Sequence, residues 1–173
     1  MMWRNGSEHN GGWRNGKKHG VGKTTYANGK KYEGRYKNGK RDGKGRLFWQ
    51  NGSWYDGGWK EGKRDGKGKM FWQNRSWFDG GWKEGKRDGK GKMFWHNGSW
   101  YDGGWKEGKQ HGQGIHTSAD GTEQEGVWKD GKFQAQEEDD PDTVEVIGTL
   151  SAEDIVAQNV RAAEMAGEVI EIL

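Results

Sequence analysis

The sequence predicts an all-β protein: an elongated, twisted antiparallel sheet of tandem β-hairpins, followed by a C-terminal acidic α-helix. Three observations predict it. Glycines and aromatics recur every 23 residues, each recurring block divides into two alternating segments separated by turn signals, and the periodicity stops abruptly after Phe133. A fixed period of this length marks stacked supersecondary units.

Composition alone points the other way. Of the 173 residues, 29% are hydrophobic and the mean hydropathy is −1.30, the profile of a chain unable to offset its ordering entropy by burial. Against this stand 12 Trp and 33 Gly with a single Pro. Each Trp buries on the order of 200 Å², so a few regularly placed ones replace many aliphatic residues. The glycines recur at Gly11, Gly34, Gly57, Gly80, Gly103 and Gly126, and the aromatics two places later at Trp13, Tyr36, Trp59, Trp82, Trp105 and Trp128. Three further glycine series, beginning at Gly16, Gly20 and Gly22, keep the same step. The array spans 1–133, with units 9–31, 32–54, 55–77, 78–100 and 101–123 and a partial sixth at 124–133. Units 55–77 and 78–100 differ only at Tyr55/Phe78, Gln73/His96 and Arg75/Gly98, which implies duplication within the gene.

Within a unit, Tyr55, Gly57 and Trp59 alternate with Asp56, Gly58 and Lys60, the period of a half-buried strand. Glu61–Asp65 reads as the tight connection. In the second strand Gly68, Met70 and Trp72 share one face, and Lys67, Lys69 and Phe71 the other. Asn51-Gly52 is a strong hairpin signal, and the sequon Asn51-Gly52-Ser53 and its counterparts at Asn74 and Asn97 read as turns. Arg75 interrupts the Asn-Gly series, so its turn should be strained or of another type. Both faces carry aromatics, and the pattern leaves open which one is buried. Eleven or so strands give a sheet roughly 50 Å long, with open edges at each end that invite self-association. The segment around Trp3 is a candidate cap.

The stretch Tyr32-Glu33-Gly34-Arg35-Tyr36-Lys37-Asn38-Gly39-Lys40-Arg41-Asp42-Gly43-Lys44-Gly45 resembles the MORN (membrane occupation and recognition nexus) repeat, and the likeness covers roughly residues 9–133. The sequence departs from that pattern with Asp56, Asp79 and Asp102 where the family usually has Glu, and with Trp54, Trp77 and Trp100 where polar residues are common. The resemblance implies a sheet of successive hairpins. Small MORN proteins similar to this one are associated with cytoskeletal assemblies, including cilia and flagella, which is the expectation for localisation.

After Phe133 the charge reverses. Residues 1–133 hold 28 basic and 15 acidic side chains, a net of +13, while residues 134–173 hold one basic and 11 acidic, a net of −10. Residues 134–150 read as an acidic linker containing Pro141. Ser151-Ala152-Glu153-Asp154 resembles a capping box, and Val156, Val160, Ala163, Ile170 and Leu173 fall near one side of an amphipathic helix over 151–173. Three placements are compatible with this tail: docked on the basic sheet of its own or another copy, capping the last hairpin's edge, or free to recruit a separate partner.

Catalysis needs groups that converge, and here the period spreads them. Asp42, Asp65 and Asp88 are equivalent positions about 10 Å apart, too far to close a calcium shell. His19 and His111 occupy the same slot, which marks a structural position. Gly62-Lys63-Arg64-Asp65-Gly66-Lys67-Gly68 is one residue short of a phosphate-loop spacing and lacks its hydroxyl residue. The chain has no Cys. No enzyme activity, cofactor or metal is expected. With no apolar leader core and no run of membrane-spanning length, a cytoplasmic protein is expected.

Binding readings remain. The first is a scaffold for an extended or helical peptide of a protein partner, on a stripe of Tyr36, Trp59, Trp82 and Trp105 with Trp49, Trp72 and Trp95 from the second strands. The competing reading is that these rings only pack on one another. The second is an anionic lipid surface met by the ladder Lys37, Lys60, Lys83, Lys106 and Lys129, beside a parallel ladder of Lys40, Lys63, Lys86, Lys109 and Lys132. Single-stranded nucleic acid has no supporting motif.

Overall fold

The computed structural model describes residues 4–135, and these form one sheet. Its strands are β1 (Glu8–Arg14), β2 (Lys17–Thr25), β3 (Lys31–Lys37), β4 (Lys40–Phe48), β5 (Trp54–Lys60), β6 (Lys63–Phe71), β7 (Trp77–Lys83), β8 (Lys86–Phe94), β9 (Trp100–Lys106), β10 (Lys109–Thr117), β11 (Glu123–Lys129) and β12 (Lys132–Gln134). All 12 are antiparallel and lie in sequence order, as a run of hairpins requires. The candidate cap at Trp3 and the helix over 151–173 lie outside the described residues, as does the linker beyond Ala135.

Two kinds of turn alternate. The odd strand of each unit joins the even strand through two residues, as in Glu61-Gly62, both with positive φ (50° and 86°). That is the type I′ geometry, whose twist matches that of the flanking strands. The connection is therefore shorter than the expected Glu61–Asp65, and Asp65 belongs to β6. The Asn-Gly pair does turn the chain, within a longer connection. Trp49 to Ser53 make a five-residue loop in which Gly52 N–H donates to Trp49 O (3.1 Å) and Ser53 N–H to Asn51 Oδ1 (3.1 Å). Only the glycine there has positive φ, 84°. Arg75 takes the same place at φ 67°, with the same backbone bond to Trp72 O (2.9 Å), so the turn keeps its type and carries the strain. Arg75→Gly is expected to stabilise the chain by about 1 kcal/mol, read as a higher melting temperature. An unchanged or lower one would show the arginine to be relaxed.

The first five hairpins each bend at a bulge. Gly57 pairs with Gly68 and Trp59 with Arg64, so the single Gly58 faces three residues of β6. The Gly57–Gly68 pair is covered by the Tyr55 ring. A Cβ on Gly57 would stand 2.5 Å from Gly68 Cα, and one on Gly68 only 2.3 Å from Tyr55 Oη. Glycine is required at both positions because the backbones and the ring occupy the space a side chain would need.

The front face carries the main core. Tyr32, Tyr36, Leu47, Tyr55, Trp59, Met70, Phe78, Trp82, Met93, Tyr101, Trp105 and Trp128 are all buried there. Trp59, Trp82, Trp105 and Trp128 each sit edge-on between two rings. Trp59 meets Tyr32 (5.5 Å) of the preceding unit and Tyr55 (5.1 Å) of its own, and Trp82 meets Tyr55 (5.4 Å) and Phe78 (5.3 Å). Each such contact adds about 0.5–1.5 kcal/mol beyond burial. The indole N–H groups of Trp59, Trp82 and Trp105 reach back to Gly45, Gly68 and Gly91 carbonyls at 2.8–2.9 Å. Core and hydrogen bond alike therefore join neighbouring units, and no hairpin buries its own ring alone.

The back face holds a second, smaller cluster. Trp54 stacks on Phe71 and Trp77 on Phe94, each pair at 6.0 Å, with Phe48 and Trp100 packed beside them. Cross-strand ion pairs Arg46–Asp56 (2.6 Å), Lys69–Asp79 (3.4 Å) and Lys92–Asp102 (3.8 Å) lie between units on the same face. The question of which face is buried thus has a double answer: the larger core is in front, and the unusual Trp54, Trp77 and Trp100 make the other.

Candidate functional site

The predicted aromatic stripe separates into two rows. Tyr36, Trp59, Trp82 and Trp105 are 4–6% exposed and belong to the core, so they offer no free ring to a ligand. For these four residues the packing reading is the one the structure supports. Trp49, Trp72 and Trp95, at the mouths of the five-residue loops, pack against the core and remain partly exposed. Their backbones are fixed: Trp72 N–H donates to Ser76 O (2.9 Å) and Trp72 O accepts from Arg75. Adjacent loops are tied as well, since Gln73 N–H donates to Ser53 Oγ and His96 N–H to Ser76 Oγ, each at 3.0 Å. Two of the three sequons, at Asn51 and Asn74, therefore mark buried serines that clamp one loop to the next, while the Ser99 hydroxyl bonds to Asn97 Oδ1 in its own loop (2.8 Å).

Between the two rows lies a feature that the sequence reading did not single out. Arg41, Arg64 and Arg87 lay their guanidinium groups over Trp59, Trp82 and Trp105 at 4.1 Å from the ring centres. Cation–π contacts of this kind contribute about 0.5–2 kcal/mol. Each arginine also grips the next hairpin's turn. Gly62 N–H donates to Arg41 O (2.9 Å) while Arg41 Nη2 donates back to Gly62 O (2.9 Å), and the pairs Arg64/Gly85 and Arg87/Gly108 repeat this. Burial lowers the Arg64 pKa and brings that of Arg87 down to about 10, with the neighbouring arginine adding to both shifts. The same burial pushes the phenols of Tyr32 and Tyr55 well above their usual range. The signal was the 23-residue series Lys18, Arg41, Arg64, Arg87, Gln110, hidden among many surface cations.

Arg64, Trp72, Asn74, Ser76, Arg87 and Trp95 enclose part of an open depression of about 440 Å³ on this face. Its polar groups are guanidinium, the Lys86 ammonium, amide and hydroxyl, beside methionine and indole, so the lining offers hydrogen-bond donors next to apolar surface. Among the described residues no group of three or more His, Asp or Glu is placed to hold a metal ion.

The lysine ladders also differ from one another. Lys40 and Lys63 pair with the turn carboxylates Glu61 (2.6 Å) and Glu84 (3.7 Å) of the following hairpins, and Lys86 pairs with Glu107. Lys37, Lys60, Lys83, Lys106 and Lys129 are all exposed and make no ion pair among the described residues.

The repeat geometry agrees with comparison to known families. The model of the MORN repeat matches residues 9–31, 32–54, 55–77, 78–100 and 101–123. The chain belongs to the MORN-repeat family. No curated protein sequence matches it. Among solved structures, the MORN array is similar to the SAS-4 (dCPAP) TCP domain of Drosophila melanogaster, a structure determined in complex with a proline-rich motif of Ana2 (dSTIL). The identity is 16%, the match covers 73% of this chain and 70% of that one, and the TM-score is 0.45.

Proposed function

We propose that this MORN-repeat protein is a non-enzymatic scaffold that holds a segment of a partner protein across the front face of its sheet. One observation carries the reading: a row of half-exposed indoles, Trp49, Trp72 and Trp95, runs beside a row of half-buried arginines at the same repeat spacing. Aromatic anchors beside arginine are the side chains that dominate protein interfaces. Regular repetition along one axis suits a chain-like ligand better than a compact one. The acidic residues 134–173, with net charge −10, have the sign needed to compete for this face and so to modulate binding. A cytoplasmic setting in a cytoskeletal or ciliary assembly belongs to the same proposal and rests on the family resemblance.

The test uses the two rings that can be removed without opening the core. A Trp72→Ala, Trp95→Ala double variant should lose the proteins that the unaltered chain retains in affinity capture, while its melting temperature falls by only a few degrees. Unchanged retention would refute the assignment of the site.

A second reading, peripheral binding to anionic phospholipid, is favoured by the exposed ladder Lys37, Lys60, Lys83, Lys106 and Lys129, which forms no ion pair among the described residues. Each lysine near an anionic leaflet contributes about 1 kcal/mol. Flotation with phosphatidylserine vesicles should then succeed at low salt and weaken as salt rises, and Lys→Gln changes along this ladder should abolish it. Flotation that survives those changes would remove the ladder from consideration.

A further inference from the structure

We propose that the front groove selects a polyproline-II segment with an acidic side chain at every third residue, one carboxylate for each of Arg41, Arg64 and Arg87. The inference rests on the protein-binding reading above and names the conformation and charge pattern of the ligand.

Arg41, Arg64 and Arg87 are half-buried, and none of them pairs with a carboxylate among the described residues. The hydrogen bonds that each makes, to a turn carbonyl and, for Arg64 and Arg87, a weak one to methionine sulfur, leave donors of the five on every guanidinium unused. Partly desolvated cations of this kind are costly to leave unpaired, and a carboxylate is the complement their fork geometry fits.

Equivalent residues of successive units are two strands apart, about 9.6 Å. A polyproline-II helix advances about 9.3 Å in each three-residue turn, so residues i, i+3 and i+6 all face the same way. Across the two steps from Arg41 to Arg87 it drifts by only about 0.6 Å. An α-helix returns to the same side after seven residues, about 10.5 Å, and drifts by about 1.8 Å over those two steps. A β-strand spans three residues in about 10 Å but turns the third side chain to the opposite face. Of the three, the polyproline-II form comes nearest to the spacing while keeping the side chains of i, i+3 and i+6 on one side.

Trp72 and Trp95 flank Arg64 and Arg87 in the depression, and grooves walled by aromatic rings are what polyproline-II ligands dock into. The series also ends where a short ligand would: its equivalents are Lys18 on one side and Gln110 on the other. The expected core footprint is about seven residues.

The experiment is fluorescence anisotropy with the full chain and three labelled peptides of equal charge. One is (Glu-Pro-Pro)4, in phase with the repeat. Another is (Glu-Pro-Pro-Pro)4, which puts successive carboxylates on different sides, and the third is an alanine-rich helix with four Glu at seven-residue spacing. The in-phase peptide should bind at least ten-fold more tightly than either control. An Arg64→Gln, Arg87→Gln variant should reduce that binding at least ten-fold while melting as a folded array, because the chain already uses Gln110 in this slot and keeps Trp128 buried. Equal binding of the three peptides, lost in the Gln variant, would overturn the proposed ligand class and leave the protein-binding face standing. Binding that ignores the two arginines, or no binding of (Glu-Pro-Pro)4, would overturn the proposal outright. The Trp72/Trp95 capture experiment would then decide separately whether the protein-binding reading survives.

Discussion

Trp82→Ala is expected to cost about 3–5 kcal/mol and to break the array at its centre. The ring is 5% exposed, sits edge-on between Tyr55 and Phe78, donates to Gly68 O, and carries the Arg64 guanidinium on its face. Alanine removes all four contacts, and three of them, to Tyr55, Gly68 and Arg64, join unit 55–77 to unit 78–100. In a linear array, stability is close to a sum of unit and nearest-neighbour terms, so losing one junction leaves two shorter arrays. Thermal melting should therefore become broader or biphasic, with hydrogen exchange accelerated on both sides of the lesion. A single sharp transition within a few degrees of the original would mean that Trp82 is not a junction. The contrast with Trp72→Ala, where the ring is half-exposed, separates core from binding surface within one repeat.

Gly57→Ala should be comparably severe for a change of one methyl group, about 1–3 kcal/mol and more if the bulge cannot relax. The added Cβ would lie 2.5 Å from Gly68 Cα, 2.7 Å from Lys67 O and 2.6 Å from Tyr55 Oη. The first two are backbone atoms, and the third belongs to a fully buried ring. The strand pair must separate or Tyr55 must leave its place over the two glycines, and either movement loosens Trp59. Alanine at Gly62 makes a useful control. A Cβ there meets nothing within 4 Å, so that change costs only the positive φ of the turn. Both variants would be compared by chemical denaturation. A Gly57→Ala loss no larger than that of Gly62→Ala would remove the close approach as an explanation.

Much of this molecule was legible in its residues. The 23-residue step, the alternation of Tyr55, Gly57 and Trp59 with Asp56, Gly58 and Lys60, and the strain at Arg75 all follow from local rules, and the sheet repeats them in order. The strongest local signal nevertheless left one detail open. Asn51-Gly52 marks a turn, but the longer connection around it is set by the Trp49 and Ser53 backbone bonds and by the clamp from Gln73, which lies 20 residues away. Glu61-Gly62, a poorer turn sequence, takes the tight type I′ form because the Arg41 main chain and side chain of the preceding unit hold Gly62 from both ends.

The sequence by itself determined the repeat, the hairpin order, the alternation of faces and the family, because each depends on spacing along the chain. Tertiary structure alone decided which of two equally aromatic faces carries the main core, which tryptophans are spent as packing, and which cations are exposed. Tyr36, Trp59, Trp82 and Trp105 look the same in sequence as Trp49, Trp72 and Trp95, yet the first row is buried and the second is not. The same holds for Arg64 among the surface lysines. Burial here arises between units, from a ring of one hairpin lying against the ring and carbonyl of another. Periodicity records that each position has equivalents two strands away, but only the assembled sheet records what each of them touches.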